Sequence, residues 1–460
     1  MKKYWISVLF FISPMLKSFG QIQLSEDVRF AIAQALDHNM NIKNNKLSTE
    51  QAKLAEKSVW NKYIPTVSAM GLYGYANNDI TIDFPTQTLP YINKELFTDK
   101  QTFDNEANLV HAGLTAKTIL FSGGQIYNGA KAMGYKNQGD SLLKENTKDE
   151  VIMSIINGFD QLALLRQADT LLEQSARRLE KESLRVNKAI ALGMAIPYDR
   201  DKITLAQLEL NSQKEDIRSK QALLLLKLAQ ETGLSVDTLS KMQHQVNPIY
   251  LLEDVALKDK NELKALEAYK KAAEYNIKKE KGSLLPNVAA LASYSYSSLY
   301  NANATTHLKH LDKDVNLGIN ELTIAPNFMV GVVMKWDLIS GFERSHNIRS
   351  AKLAAEQIDN KYRDAQELLH LQLEKNKIMY QHNTNQIAIA QQRATIAEHN
   401  LQAAEKQYAA GLIGITERLE AENDVYKQRL NEMESIITQR QAALSTYQSA
   451  ESLQQIIQIQ

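Results

Sequence analysis

Polarity along residues 108–121 alternates at nearly every step. Val110, Ala112, Leu114, Ala116, Thr118 and Leu120 share one parity, and His111, Gly113, Thr115 and Lys117 the other. That period of two predicts a strand with one apolar face. Residues 327–338 repeat the pattern, with Phe328, Val330, Val332, Met334, Trp336 and Leu338 opposed by Asn327, Gly331, Lys335 and Asp337. In 287–297, Val288, Ala290, Ala292, Tyr294 and Tyr296 alternate with small and polar residues. Residues 66–76 alternate less cleanly, through Val67, Ala69, Tyr73 and Tyr75. Each apolar-faced run has about 10–12 residues, the length of a tilted transmembrane β-strand. Trp336 and the four tyrosines suit an interfacial belt. The polar stretches 77–107 and 300–326 are expected to be loops on the outer side. A soluble sandwich would need more than these four strands.

The remainder has helical spacing. Val151, Ile155, Gly158, Leu162, Leu165, Asp169, Leu172, Ala176 and Leu179 recur at steps of three and four. So do Ile348, Ala351, Ala355, Ile358, Tyr362, Ala365 and Leu369. Heptad spacing of this kind makes a seam between paired helices. Two proline-free helices are predicted over about 123–190 and 341–408, each a rod of roughly 100 Å at 1.5 Å per residue. Shorter helices are predicted over 25–61 and 198–233, and over 259–283 and 416–456. Stacked end to end, each short pair would line one long helix. Gly193 and Gly411 suit the stops of the long helices, and Pro197 suits the start of the next one.

The plan is written twice. "YIPTVSAMGLYGY" (63–75) resembles "LLPNVAALASYSY" (284–296), and "AGLTAKTILFSGG" (112–124) resembles "VGVVMKWDLISGF" (330–342). "ALGMAIPYDRDKITLAQ" (191–207) resembles "AAGLIGITERLEAENDV" (409–425). The order and the near-constant offset define two structural repeats, 21–240 and 259–460, joined by a connector at 241–258. Such repeats are a primary sequence signal.

Composition then narrows the chemistry. The 460 residues carry 53 basic and 53 acidic side chains, with no basic excess for a nucleic-acid partner. Cysteine is absent, which excludes disulfides, thiolate metal sites and Cys nucleophiles. Lys2 and Lys3, an apolar run from Tyr4 to Leu16, and small residues at Ser18 and Gly20 read as a signal peptide over 1–20. "LFSGGQ" (120–125) approaches an ABC-ATPase signature, but an exported chain without a phosphate-binding G-x-x-x-x-G-K-[ST] loop is a poor ATPase. The second copy, "LISGFE", lacks the Gly-Gln ending. Ser122-Gly123 and Ser340-Gly341 instead read as joints between strand and helix, with Ser capping and Gly redirecting the backbone. His307 and His310, without a further ligand cluster, read as solvated loop residues. No cofactor is expected. Four membrane strands cannot close a barrel, since their edge groups would face lipid. Copies of the chain must therefore pool strands in a cyclic homo-oligomer.

The repeated proline-led strands, strand-Ser-Gly-helix joints and G-x₅-[DE] turns resemble the TolC-type outer-membrane efflux proteins. The resemblance covers nearly all of 21–460. It implies a mixed α and β membrane protein: a homotrimer with a 12-stranded outer-membrane β-barrel, four strands per chain, continuous with a 12-helix periplasmic tunnel. It also implies a periplasmic adaptor, an inner-membrane pump of the RND or ABC type, and passage of drugs, other small molecules or proteins outward without catalysis. Tyr408 falls on the family's gate tyrosine, Glu417 and Glu420 on two acids of its aperture ring, and Asp199 on the acid of the first turn. Ile413 replaces a gate arginine. Gly193, Met194, Gly411 and Leu412 fall on the helix-hairpin tips, where the adaptor docks. Compensation of the helix dipole is an alternative role for Asp199, Glu417 and Glu420. A soluble periplasmic coiled-coil scaffold, with its β segments packed on its own helices, is the competing reading of the whole chain. An exported enzyme is a weaker one, since no catalytic constellation is visible in the sequence.

Overall fold

The computed structural model describes residues 24–457 apart from 90, 92–93, 98–99, 253–254, 259 and 309–311. The expected signal peptide and His310 lie outside the described residues. The first half contains α1 (Glu26–His38), α2 (Met40–Trp60), β1 (Thr66–Asp83), β2 (Gln87–Leu89), β3 (Lys94–Phe97), β4 (Lys100–Ser122), α3 (Gln125–Ala191) and α4 (Pro197–Thr232). The second contains α5 (Val236–Lys241), α6 (Asn261–Gly282), β5 (Asn287–Leu308), β6 (Lys313–Lys335), α7 (Glu343–Ala409), α8 (Ile415–Ala450) and α9 (Leu453–Ile457). Helices α3 and α7 are each 67 residues long, and α4 and α8 are each 36. The helix expected over 25–61 is broken at Asn39. Its Oδ1 accepts from the backbone N–H of Asn41 at 2.9 Å and of Ile42 at 3.2 Å, the local competition that makes Asn a cap.

Two compact units are present. One holds the sheet and adjoining helix ends, residues 52–136 and 270–357. The other holds the remaining described residues and is helical apart from its connecting segments.

The sheet has four antiparallel strands in the order β1-β4-β5-β6. Its register aligns the sequence-read parities. Val67 lies opposite Ala116, Ala116 opposite Ala292, and Ala292 opposite Val330. The next row on that face runs Ala69, Leu114, Tyr294 and Phe328. A slip of one residue would reverse the faces, so this agreement fixes the register. The strands are much longer than the alternation. Residues 77–83 continue in register against 100–106, and 302–308 against 313–319, so most of the stretches expected to be loops are strand. Alternation persists there only in short runs, Ile80 with Ile82 and Val315 with Leu317 and Ile319, among turn-forming Asn, Asp and Gly, while the backbone ladder continues. At the other end β6 stops at Lys335, short of the alternation that runs on to Leu338.

In the helical unit, Val28 and Ile32 of α1 pack with Ile152, Ile155, Ile156 and Phe159 of α3, Leu228 of α4 and Leu444 of α8. Leu172 and Leu179 continue the α3 seam into a second cluster with Leu210 and Ile217 of α4. Short helices meet near their ends, and α1 also packs alongside the end of α4. A Cβ on Gly233, at φ +73°, would lie 2.7 Å from His38 Nδ1, so the ends of α4 and α1 abut. In the second half, Lys260 Nζ donates to Gln448 O at 2.6 Å and the Lys258 N–H to Ala450 O at 3.0 Å, tying the approach to α6 onto the end of α8. The connector is stitched down by Gln439. It donates to Ile249 O at 2.6 Å and accepts from the Ile249 N–H at 3.1 Å. Fully buried Asp160 accepts from Arg440 Nε at 2.9 Å and lies 2.6 Å from His244 Nε2. That pairing satisfies a carboxylate otherwise costly to bury.

Candidate constriction, joints and membrane face

Four joints link helices to the sheet at one end. Ser122 is buried, and its Oγ accepts from the Ile126 N–H at 3.3 Å, as expected of a cap. Gly123, at φ +62°, meets the end of α6: a Cβ there would stand 2.1 Å from Gly282 O. The second joint is looser. Gly341 also has positive φ, at +56°, but borders open space, and Ser340 makes no capping hydrogen bond among the described residues.

The two helix-hairpin turns are built alike. The Met194 N–H donates to Ala189 O at 2.8 Å and the Gly193 N–H to Ile190 O at 3.0 Å. Leu412 donates to Gln407 O at 2.9 Å and Gly411 to Tyr408 O at 3.0 Å. Both pairs are the six-to-one and five-to-two bonds of a Schellman stop, which requires the left-handed glycines at φ +69° and +70°. The stops leave Met194 and Leu412 about three-quarters exposed at the tips.

After each turn an acid stands at the third helical position. Asp199 Oδ2 accepts from the Ile196 N–H at 3.5 Å, and the Glu417 carboxylate folds back against Gly414. Both compensate a helix N-terminus. Tyr408 packs on Val186, Ile203 and Ile415. Burial pushes its phenol above the usual range, helped by the negative charges of Glu182 and Asp199. Tyr408 and Asp199 are thus within electrostatic reach of each other. Exposed Glu417 and Glu420 line, with Asp424 and Ile413, a groove of about 650 Å³ between α7 and α8. Glu420 also borders a second cavity, with Lys202 and Ala206 of α4.

Sequence reasoning missed the charged network beside them. Buried Glu422 accepts from Arg178 Nε at 2.7 Å and from Ser175 Oγ at 2.8 Å, so α8 is tied to α3. Buried Arg418 lies 3.5 Å from Glu422 and 3.8 Å from Glu405. The i, i+4 spacing of Arg418 and Glu422 was a sequence signal for one pair. Nothing local placed Arg178 against it.

In the sheet unit the apolar face is uncovered. Val67, Tyr73, Phe328, Val330, Val332 and Met334 are each 65–73% exposed. No helix among the described residues is long and apolar enough to cross a membrane.

Residues 252–457 match the family model described as outer membrane efflux protein. No curated protein sequence matches the chain. Among solved structures, a membrane protein from Pseudomonas aeruginosa has a TM-score of 0.71 at 13% identity, covering 93% of this chain and 94% of that one. CusC has a TM-score of 0.69 at 14% identity, covering 94% and 93%. VceC of Vibrio cholerae has a TM-score of 0.66 at 14% identity, covering 92% and 95%. The family model spans somewhat under half of the chain, and the solved structures share its fold over more than nine-tenths of its length; both agree with the resemblance drawn from the repeated motifs.

Proposed function

We propose that this chain is the outer-membrane exit duct of a tripartite export machine. Three copies close a twelve-stranded barrel, and their helices form a twelve-helix tunnel through the periplasm. The observation that carries this reading is the open sheet. β1 and β6 are outer strands, each 18 residues or longer, beside an exposed apolar face. Unpaired edges cannot stay in lipid, since each exposed backbone group costs several kcal/mol there. The number three comes from the family resemblance, and the equal helix lengths suit a duplicated plan over 21–240 and 259–460. The competing soluble scaffold required the strands to pack on the chain's own helices; their exposed faces weigh against it.

Tyr408, Asp199, Glu417 and Glu420 form the constriction once three copies converge. Met194 and Leu412, presented by Gly193 and Gly411, meet the periplasmic adaptor, and an RND or ABC pump in the inner membrane supplies the energy. Small molecules are the cargo class that a passive duct of this kind serves, with secreted proteins as the alternative. Ser122-Gly123 and Ser340-Gly341 turn each strand into its tunnel helix.

The native chain has no cysteine, so introduced pairs report without background. Cysteines placed along β1 at 67–73 and along β6 at 328–334 are separated within one chain by two intervening strands, roughly 14 Å at the usual strand spacing. That exceeds disulfide reach. Oxidation in detergent is expected to give covalent dimers and trimers. Monomers in detergent-free buffer, with no crosslinked species, would refute the barrel.

A further inference from the structure

The two ends of the sheet carry opposite charge. The outer strand segments 76–83, 100–107, 301–308 and 312–322 hold seven acidic residues against two Lys. The helix ends and joints at 52–65, 123–136, 270–286 and 336–357 hold thirteen Lys or Arg against six acids. Between the two lies the apolar face. Five exposed lysines stand close to the joints: Lys57 and Lys62 before β1, Lys131 after β4, and Lys278 and Lys281 before β5. They are four to nine residues from the nearest strand, about 6–14 Å at the helix rise. A bilayer's polar layer begins at that depth, being about 5–8 Å thick on each side of the hydrocarbon. None of the five has an ion-pair partner among the described residues; Lys278 lies over the Tyr275 ring, 4.6 Å from its centroid.

Amphipathic groups share this level. Trp60 and Tyr127 make an edge-to-face pair at 5.6 Å. Trp336 follows Lys335 at the next place in the alternation of the apolar face, and its Nε1 donates to Leu284 O at 3.1 Å. The segment after it exposes Leu338, Ile339 and Phe342 by 73%, 92% and 82%. Apolar side chains bordered by unpaired lysines form an interfacial anchor.

We propose that this basic collar binds the headgroups of anionic phospholipids in the leaflet beside the helix-bearing end of the sheet. The proposal rests on the reading of the sheet as a membrane barrel. Charge complementarity decides the occupant: the collar attracts a phosphate-bearing surface and the acidic opposite end repels one. A lysine near an anionic bilayer gains about 1 kcal/mol, and the attraction fades within a Debye length.

The test places the purified full-length oligomer in nanodiscs of phosphatidylcholine containing a trace of chain-labelled phosphatidylglycerol or chain-labelled phosphatidylcholine. Electron spin resonance then counts the motionally restricted fraction of each. The expected result is a preference for phosphatidylglycerol of about threefold or more at low salt, a conservative share of the attraction available to several lysines. It should fall toward one in 0.5 M salt (about 4 Å screening). It should also fall toward one in a variant carrying Lys57→Gln, Lys62→Gln, Lys131→Gln, Lys278→Gln and Lys281→Gln, whose helicity and oligomeric state serve as the folding control. Restricted lipid of both kinds with no preference in the unsubstituted protein overturns the collar and leaves the barrel standing. A preference that survives the five substitutions overturns it too. No restricted lipid of either kind overturns the barrel, and the collar with it.

Discussion

Gly123 and Gly411 offer a controlled comparison, because they share a backbone conformation and differ in their surroundings. Their φ angles are +62° and +70°. An added methyl at Gly411 meets nothing within 4 Å, whereas at Gly123 it would stand 2.1 Å from the backbone oxygen of Gly282 and 3.0 Å from Leu285 Cβ. Gly411→Ala should therefore cost only the left-handed strain of a non-glycine residue, about 1–2 kcal/mol. Gly123→Ala carries the same strain plus overpacking of about 1–3 kcal/mol, since the obstructing atom is backbone and cannot rotate away. The expected total is about 2–5 kcal/mol, in a joint where α6 must shift to make room. Denaturant unfolding in detergent, followed by circular dichroism, measures both variants against the parent protein. Equal losses for the two, or a smaller loss at Gly123, would show that the close approach of the two glycines does not constrain the joint.

Three further outcomes are expected. Glu422→Ala strands buried Arg418 and partly buried Arg178 without their carboxylate, and should destabilise by about 3–5 kcal/mol, measured by the same unfolding; a loss under about 1 kcal/mol would mean the network is solvated. Tyr408 has a raised folded pKa, so its contribution to stability is fully present below the unfolded value near 10 and is lost as pH rises through the folded value. Between pH 9 and 11 the parent should accordingly lose more stability than Tyr408→Phe, and parallel curves would contradict the buried phenol. In planar bilayers, Glu417→Ala with Glu420→Ala should weaken cation preference and divalent block, because both carboxylates line the α7/α8 groove; unchanged conductance and block would remove them from the aperture.

Much of the architecture was legible in the residues. Alternation at 108–121 and 327–338 reports a backbone with water or small polar groups on one side and an apolar medium on the other. Heptad spacing from Val151 to Leu179 reports a seam, and Ile155, Leu162, Leu172 and Leu179 are buried in it. Gly193 and Gly411 marked helix stops, because only glycine takes the left-handed cap without strain. The same local logic failed at 77–83 and 100–106. Alternation there is confined to Ile80, Ile82 and the lone Phe103 opposite, too short a run to mark a strand among so many polar residues, and the ladder from Asn77↔Glu106 to Asp83↔Lys100 shows the strands.

The sequence by itself determined the elements, their faces and their twofold recurrence, because each depends on residues within a few turns of one another. Tertiary structure alone decided which side chains meet across the fold. It set Glu422 against Arg178 over a separation of 244 residues, closed Gly123 onto Gly282, and left β1 and β6 as open edges. Such pairings arise from the packing of distant segments, and a local pattern carries no record of which distant surface will cover it.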